Sequence, residues 1–253
     1  MEKVIEKVKE IDIGDLGIII YSQKQQRIIS SLNSNLVVPL ASAAKVAIGY
    51  CIAKWIEDGL YTWDDIMMDI HFNPDENSHQ LYPHLQQRRS LALRDAVEVM
   101  IACHDSFLAK NIVSHCGGWD LLNLKIQAHF THITVTENPR DMDNNGELGE
   151  IHKLICSIYQ GYQKNPELWL PVIIGLVRQN DEIEGIPGHL LNHMTGGLED
   201  VIVDIGIVGE FNSDPLLYAL GAKGLPNRYV HQESDKKIIE TMKLLYAEYL
   251  SQG

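Results

Sequence analysis

Basic charge is scarce in this chain. Twenty-one Lys and Arg stand against 34 Asp and Glu, a net charge of -13. A partner with a phosphate backbone needs a basic face, so neither nucleic acid nor an anionic membrane is expected as a partner. Long apolar runs are missing as well: none approaches the roughly 20 residues that cross a bilayer. The first ten residues form a charged amphipathic pattern without the apolar core of a signal peptide, so a cytoplasmic protein is expected. Cysteine is sparse. Cys51, Cys103, Cys116 and Cys156 lie in apolar helical patterns with no C-x-x-C spacing, which reads as reduced thiols rather than a disulfide frame or zinc site. The 11 histidines are scattered. His189 and His193 are four apart, but Gly185, Pro187 and Gly188 argue against a helix there, and neither a metal nor a cofactor is expected. Internal repeats and low-complexity linkers are absent too, and the sequence is silent on oligomeric state.

What is present is an ordinary globular composition, 45% hydrophobic and 22% charged over 253 residues, enough to bury a sizeable core. Strands are expected over 16–22 and 27–32, joined by a polar turn, after the N-terminal helix. A long apolar helix runs up to Gly59, a suitable C-terminal cap, and a short helix is expected around 63–68. The polar stretch 71–89, with Pro74 and Pro83, reads as a surface loop. Helices follow over 93–103, 107–116 and 119–127, then an extended piece at 131–136, a helix opening at Pro139 and running to about 163, and another over 166–179. Three apolar runs, 190–196, 201–208 and 216–221, read as a strand meander before a C-terminal helix over 236–250. The expected fold is α+β: one antiparallel sheet assembled from both chain ends, with flanking helices. A single domain over 1–253 is expected, with a sheet subdomain from about 1–40 and 185–253 and a helical subdomain over about 41–184.

One stretch carries chemistry. In Ser42-Ala43-Ala44-Lys45 a hydroxyl and an amine stand three residues apart at the head of a helix apolar on nearly every side. Positions i and i+3 share a helix face, and an all-round apolar helix is normally buried. Burial lowers a lysine pKa toward the range in which the amine can take a serine's proton. The first-turn N–H groups also favour developing negative charge. A plainer reading has Ser42 as a helix cap and Lys45 as a snorkelling side chain.

Around the tetrad, the order of further motifs resembles that of the penicillin-recognising serine hydrolases, nearest to class A β-lactamases. That family carries Ser-x-x-Lys, Ser-Asp-Asn and Lys-Thr-Gly in this chain order. Here the counterparts are Ser42-Ala43-Ala44-Lys45, His104-Asp105-Ser106 and Met194-Thr195-Gly196, with Asn138-Pro139-Arg140-Asp141-Met142 between the last two. The resemblance implies a β-lactamase/transpeptidase-like fold, Ser42 as acylated nucleophile, and Lys45 as its proton partner. It implies half an oxyanion hole from the Ser42 N–H and half from near Gly197, and a cleft for a small-molecule substrate lined by Ser106, Thr195, Gly196 and Gly197.

Three positions depart from the pattern. His104 replaces the motif serine and can act as acid and base near neutral pH, or merely cap its helix. Met194 replaces the motif lysine, which favours substrates without a carboxylate at that place. His193 beside it should face the other side of its strand. The deacylating loop glutamate has no evident counterpart; Glu137 is the one acid near the end of that segment, and it is also placed to favour a helix N-terminus. The expected function is a hydrolase cleaving an amide or ester, β-lactams among them, through acyl-Ser42. A penicillin-binding-like protein with little turnover and an inactive scaffold are the alternatives.

Overall fold

A computed structural model describes residues 1–179 and 181–251. In chain order it contains α1 (Glu2–Lys9), β1 (Asp15–Ser22), β2 (Arg27–Leu32), β3 (Val37–Pro39), α2 (Ala44–Glu57), β4 (Ile66–Met68) and α3 (Ser78–Leu81). Next come β5 (Ser90–Ala92), α4 (Leu93–Ala102), α5 (Ser106–His115), α6 (Trp119–Gln127), β6 (Ile133–Thr134) and β7 (Asn145–Glu147). The chain continues with α7 (Leu148–Lys164), α8 (Pro166–Val177), β8 (Leu191–Gly197), β9 (Ile202–Val208), β10 (Leu216–Lys223) and α9 (Glu233–Leu250).

The main sheet has strand order β2-β1-β10-β9-β8, antiparallel between neighbours. β1 draws its two neighbours from opposite ends of the chain, and the sheet ends at β8. Strands β1, β9 and β10 are nearly continuous apolar runs because both of their faces are covered. On one face Ile18, Ile20, Ile202, Tyr218 and Leu220 pack with Val4 and Val8 of α1 and Ile238, Met242 and Leu245 of α9. The alternate residues Ile19, Val203, Ile205, Leu217 and Ala219 face a larger core shared with α2, α4, α7 and α8. α2 lies inside that core, with 11 of its 14 residues buried, which accounts for its lack of a polar face.

One expected helix is absent and another starts later than expected. Residues 63–68 form a turn followed by β4, which pairs with β5. The Asp65 carboxylate accepts from the Thr62 N–H and hydroxyl, and Trp63 Nε1 donates to Leu168 O at 2.9 Å, so local and long-range bonds together override the helical pattern. No helix opens at Pro139 either. Asn138 Oδ1 accepts from Arg140 N and Asp141 Oδ1 from Asp143 N, turns that compete with a helix; β7 follows and α7 starts only at Leu148. The 71–89 stretch holds α3 and a 3-10 turn at Pro83–Leu85. Among the described residues no helix is long and apolar enough to cross a membrane.

Candidate active site

Ser42 sits on a 3-10 turn, Ala41–Ala43, one turn before α2 rather than on its first residue. The turn is held from outside: Leu40 N donates to Asn144 O at 2.8 Å, and Asn144 Nδ2 donates to Ala41 O at 3.3 Å. Ala41 has φ +46°, the left-handed region that costs a non-glycine residue about 1–3 kcal/mol. That strain is imposed one residue from the hydroxyl. On the other side β8 comes so close that a Cβ at Gly196 would meet Leu40 O at 2.3 Å and Ala43 N at 3.0 Å. Only glycine lets the sheet edge meet the serine turn.

Lys45 is 3% exposed, and its Nζ donates to Ser42 Oγ at 3.2 Å. Burial lowers its pKa to about 8, while the carboxylates of Glu76 and Asp105 pull it part of the way back. Its ammonium form is therefore within reach of deprotonation near neutral pH. Asp105 is fully buried and caps α5, its Oδ1 accepting from Phe107 N and Leu108 N and its Oδ2 from Asn73 N. Asn73 Nδ2 also donates to Ser106 Oγ at 3.1 Å, so this one residue ties the 71–89 stretch to the start of α5. Lys45, Ser106 and Glu137 line a small cavity of about 10 Å³, near the least that holds one water.

His104 also has a left-handed backbone, φ +55°. Its Nε2 lies 2.6 Å from Gln179 Oε1 and 3.8 Å from Asp181 Oδ2. Burial holds this imidazole below its ordinary value against the pull of Asp181 and the Gln179 hydrogen bond, and the charge of Lys45 lowers it further, which favours the uncharged ring. Next to it Met194 is fully buried in the larger core, with Gln179 Nε2 3.8 Å from its Sδ.

β8 pairs with β9 in unbroken register, so His193 faces the other side, as the alternation predicts. There His193 Nδ1 is 2.9 Å from Asp204 Oδ1, which also accepts from the Tyr218 hydroxyl at 3.0 Å. Burial, the largest single effect, would lower the His193 pKa, but the Asp204 carboxylate together with Asp181, whose carbonyl lies 3.1 Å from Nε2, raises it to about 9. Thr195 shares this side of the strand and lines a cavity of about 260 Å³ with His193, Asp204 and Arg228. A Cβ at Gly197 would meet Arg228 Nη1 at 2.8 Å, and that guanidinium is held by Asp235 through Nε and Nη2 at 2.7 and 3.0 Å.

The structure thus gathers Ser42, Lys45, Ser106 and Gly196 tightly, with His104 within electrostatic reach of Lys45. Thr195 and Gly197 lie on the same strand but against the His193 and Arg228 side. Sequence reasoning missed Glu76, Asn73 and Gln179. Glu76 and Asn73 lie in the 71–89 stretch, where nothing in the local pattern separates a residue pinned against the site from a solvated one.

A hydroxyl–amine pair on a turn beside the edge of an antiparallel sheet, with the second and third motifs on α5 and β8, defines a penicillin-recognising serine hydrolase. The chain belongs to the β-lactamase enzyme family, whose model matches residues 1–248, and with it to serine hydrolases of the β-lactamase type. Solved structures with the same fold include a point mutant of PBP-A, described as an acyl-enzyme complex with penicillin-G (18% identity, TM-score 0.80, covering 99% of this chain and 96% of that one). A β-lactamase from Chitinophaga pinensis DSM 2588 is similar at 16% identity, TM-score 0.81, covering 98% of both chains. A class A variant of the last common ancestor of Gram-negative bacteria, GNCA4, matches at 16% identity, TM-score 0.77, covering 100% of this chain and 98% of that one. Among curated protein sequences none matches.

Proposed function

We propose that the protein cleaves an amide or ester, β-lactams included, through an acyl-Ser42 intermediate. The observation that carries this reading is the buried Lys45 Nζ hydrogen-bonded to Ser42 Oγ, with a pKa lowered to about 8. In its neutral form Lys45 takes the Ser42 proton as Oγ attacks the substrate carbonyl. The tetrahedral oxyanion then collapses and the C–N or C–O bond breaks as Lys45 passes the proton it took to His104, which delivers it to the leaving atom, so the count closes at the acyl-enzyme and the free amine or alcohol. Water attack and release of the acid complete the cycle. Ser106 and Gly196 border the reacting carbonyl in this reading, while Thr195 and Gly197 contact more distant substrate atoms. With Met194 where the motif has lysine, a neutral substrate group at that place is favoured over a carboxylate.

A second reading, acylation with little turnover, is favoured by Glu137. Its carboxylate rims the Lys45 cavity but pairs with Lys110 at 2.6 Å, and both side chains are more than half exposed. A glutamate held outward by a lysine is a poor activator of a deacylating water.

Incubation with a fluorescent penicillin, followed by intact-mass spectrometry, tests both. A mass increase equal to the probe that is lost in Ser42→Ala supports acylation. Decay of that adduct within minutes supports the hydrolase, and persistence for hours supports the second reading. No adduct with penicillin, ester or fluorophosphonate probes would leave the fold as an inactive scaffold.

A further inference from the structure

Two of the positions at which the chain departs from its family's motifs, 104 and 194, are joined by one side chain. Gln179, two residues beyond α8, has its Oε1 2.6 Å from His104 Nε2 and its Nε2 3.8 Å from Met194 Sδ. The same Nε2 is hydrogen-bonded to the carbonyl of Ile101, one of the last carbonyls of α4, which also accepts from His104 N at 3.4 Å. A carbonyl oxygen only accepts, which orients the amide: its NH₂ must face Ile101 and its oxygen must face His104. Facing an acceptor, His104 Nε2 must be the nitrogen that carries the proton. Asp181 Oδ2, 3.8 Å from the same nitrogen, favours the same arrangement without reaching hydrogen-bond distance.

We propose that Gln179 is a positioning residue that locks His104 as its Nε2–H tautomer and leaves Nδ1 as the atom that accepts and passes on a proton. This deepens the acyl-Ser42 reading and rests on it for its catalytic consequence. The geometry explains why the two departures occur together. An imidazole at 104 needs an acceptor behind it to choose its tautomer, and an ammonium at 194 would offer a donor in the place where Gln179 Nε2 packs on a thioether. Burial and the charge of Lys45 favour the uncharged ring against the pull of Gln179 and Asp181, and a second cation beside Lys45 would oppose ionisation of both.

The test reads the ring directly. Long-range ¹H–¹⁵N spectra of the ¹⁵N-labelled protein at pH 7.5 should show His104 with Nε2 protonated and Nδ1 bare. In Gln179→Ala the two nitrogen resonances should move toward each other as both tautomers become populated. In Gln179→Glu the carboxylate still accepts from Nε2 but cannot donate to Ile101 O and draws a second proton onto the ring, so both nitrogen resonances should move toward those of the doubly protonated imidazolium. Acylation rates by fluorescent penicillin should follow the spectra, falling between about 10- and 100-fold in the alanine variant and staying low in the glutamate variant, whose Nδ1 is no longer bare. A parent carrying its proton on Nδ1 overturns the proposal even if no variant folds. So does an alanine variant with both parental resonances and parental rate. If no probe acylates the parent, the hydrolase reading fails, and the spectra still decide the tautomer on their own.

Discussion

Lys45 and His193 are both buried bases, 3% and 2% exposed, yet the fold moves them in opposite directions. Lys45 is lowered to about 8 and His193 is raised to about 9. His152, 4% exposed and lowered to about 4 chiefly by burial, is the reference for a base with little to oppose desolvation. The difference lies in the partner. His193 holds a carboxylate at 2.9 Å, whereas Lys45 holds only a hydroxyl at 3.2 Å, with Glu76 and Asp105 acting by charge alone. One side of the β8 edge therefore stabilises an ion pair near neutral pH, and the other keeps a base able to give up its proton. A paired cation is of structural use; an unpaired one can do chemistry.

That contrast can be broken at several points. The largest effect is expected from Lys45→Met, which should slow Ser42 acylation by on the order of 10²–10⁴-fold while leaving the protein folded. Stopped-flow labelling with a fluorescent penicillin measures it, and a parental rate would remove Lys45 from the mechanism.

On the other side, Asp204→Ala strands a buried charge and should cost about 3–5 kcal/mol in urea unfolding at pH 7. The sign with pH follows from the raised pKa. The contribution of His193 is complete below its ordinary value near 6.5 and is lost as pH rises through about 9, so the parent should lose stability across that window. His193→Gln should flatten that slope; a slope that persists would assign it to other groups.

A smaller cost, about 1–3 kcal/mol, is expected of Gly196→Ala, because a methyl group cannot share space with Leu40 O unless the serine turn or β8 shifts. Labelling should fall together with thermal stability, and a parental rate would show that the turn tolerates the displacement.

The smallest effect is the pH dependence of acylation. With Lys45 near 8, raising pH from 7 to above 9 should increase the rate by roughly tenfold as the neutral amine becomes dominant. Lys45→Met should lose that rise.

Much of this molecule was legible along the chain. The strands of the sheet, α4 to α6, and the order of the three motifs follow from local periodicity and spacing. Two helices were misread because short-range turn bonds at Thr62, Asn138 and Asp141 outcompeted a helical pattern. Gln179 escaped notice for a different reason: it meets His104 across 75 residues, and no local pattern encodes that contact.

By itself the sequence placed Ser42 and Lys45 on one side of a buried helix start, through their three-residue spacing and an all-round apolar segment, while leaving open a cap and a snorkelling side chain. It also determined that His193 and Met194 would face opposite ways, because a strand alternates. Only the tertiary structure decided what those placements mean chemically. Whether a buried base keeps its proton depends on the groups within a few ångströms: Asp204 reaches His193 only through the β8–β9 pairing, and Glu76, Asp105 and Gln179 arrive at their bases from distant parts of the chain.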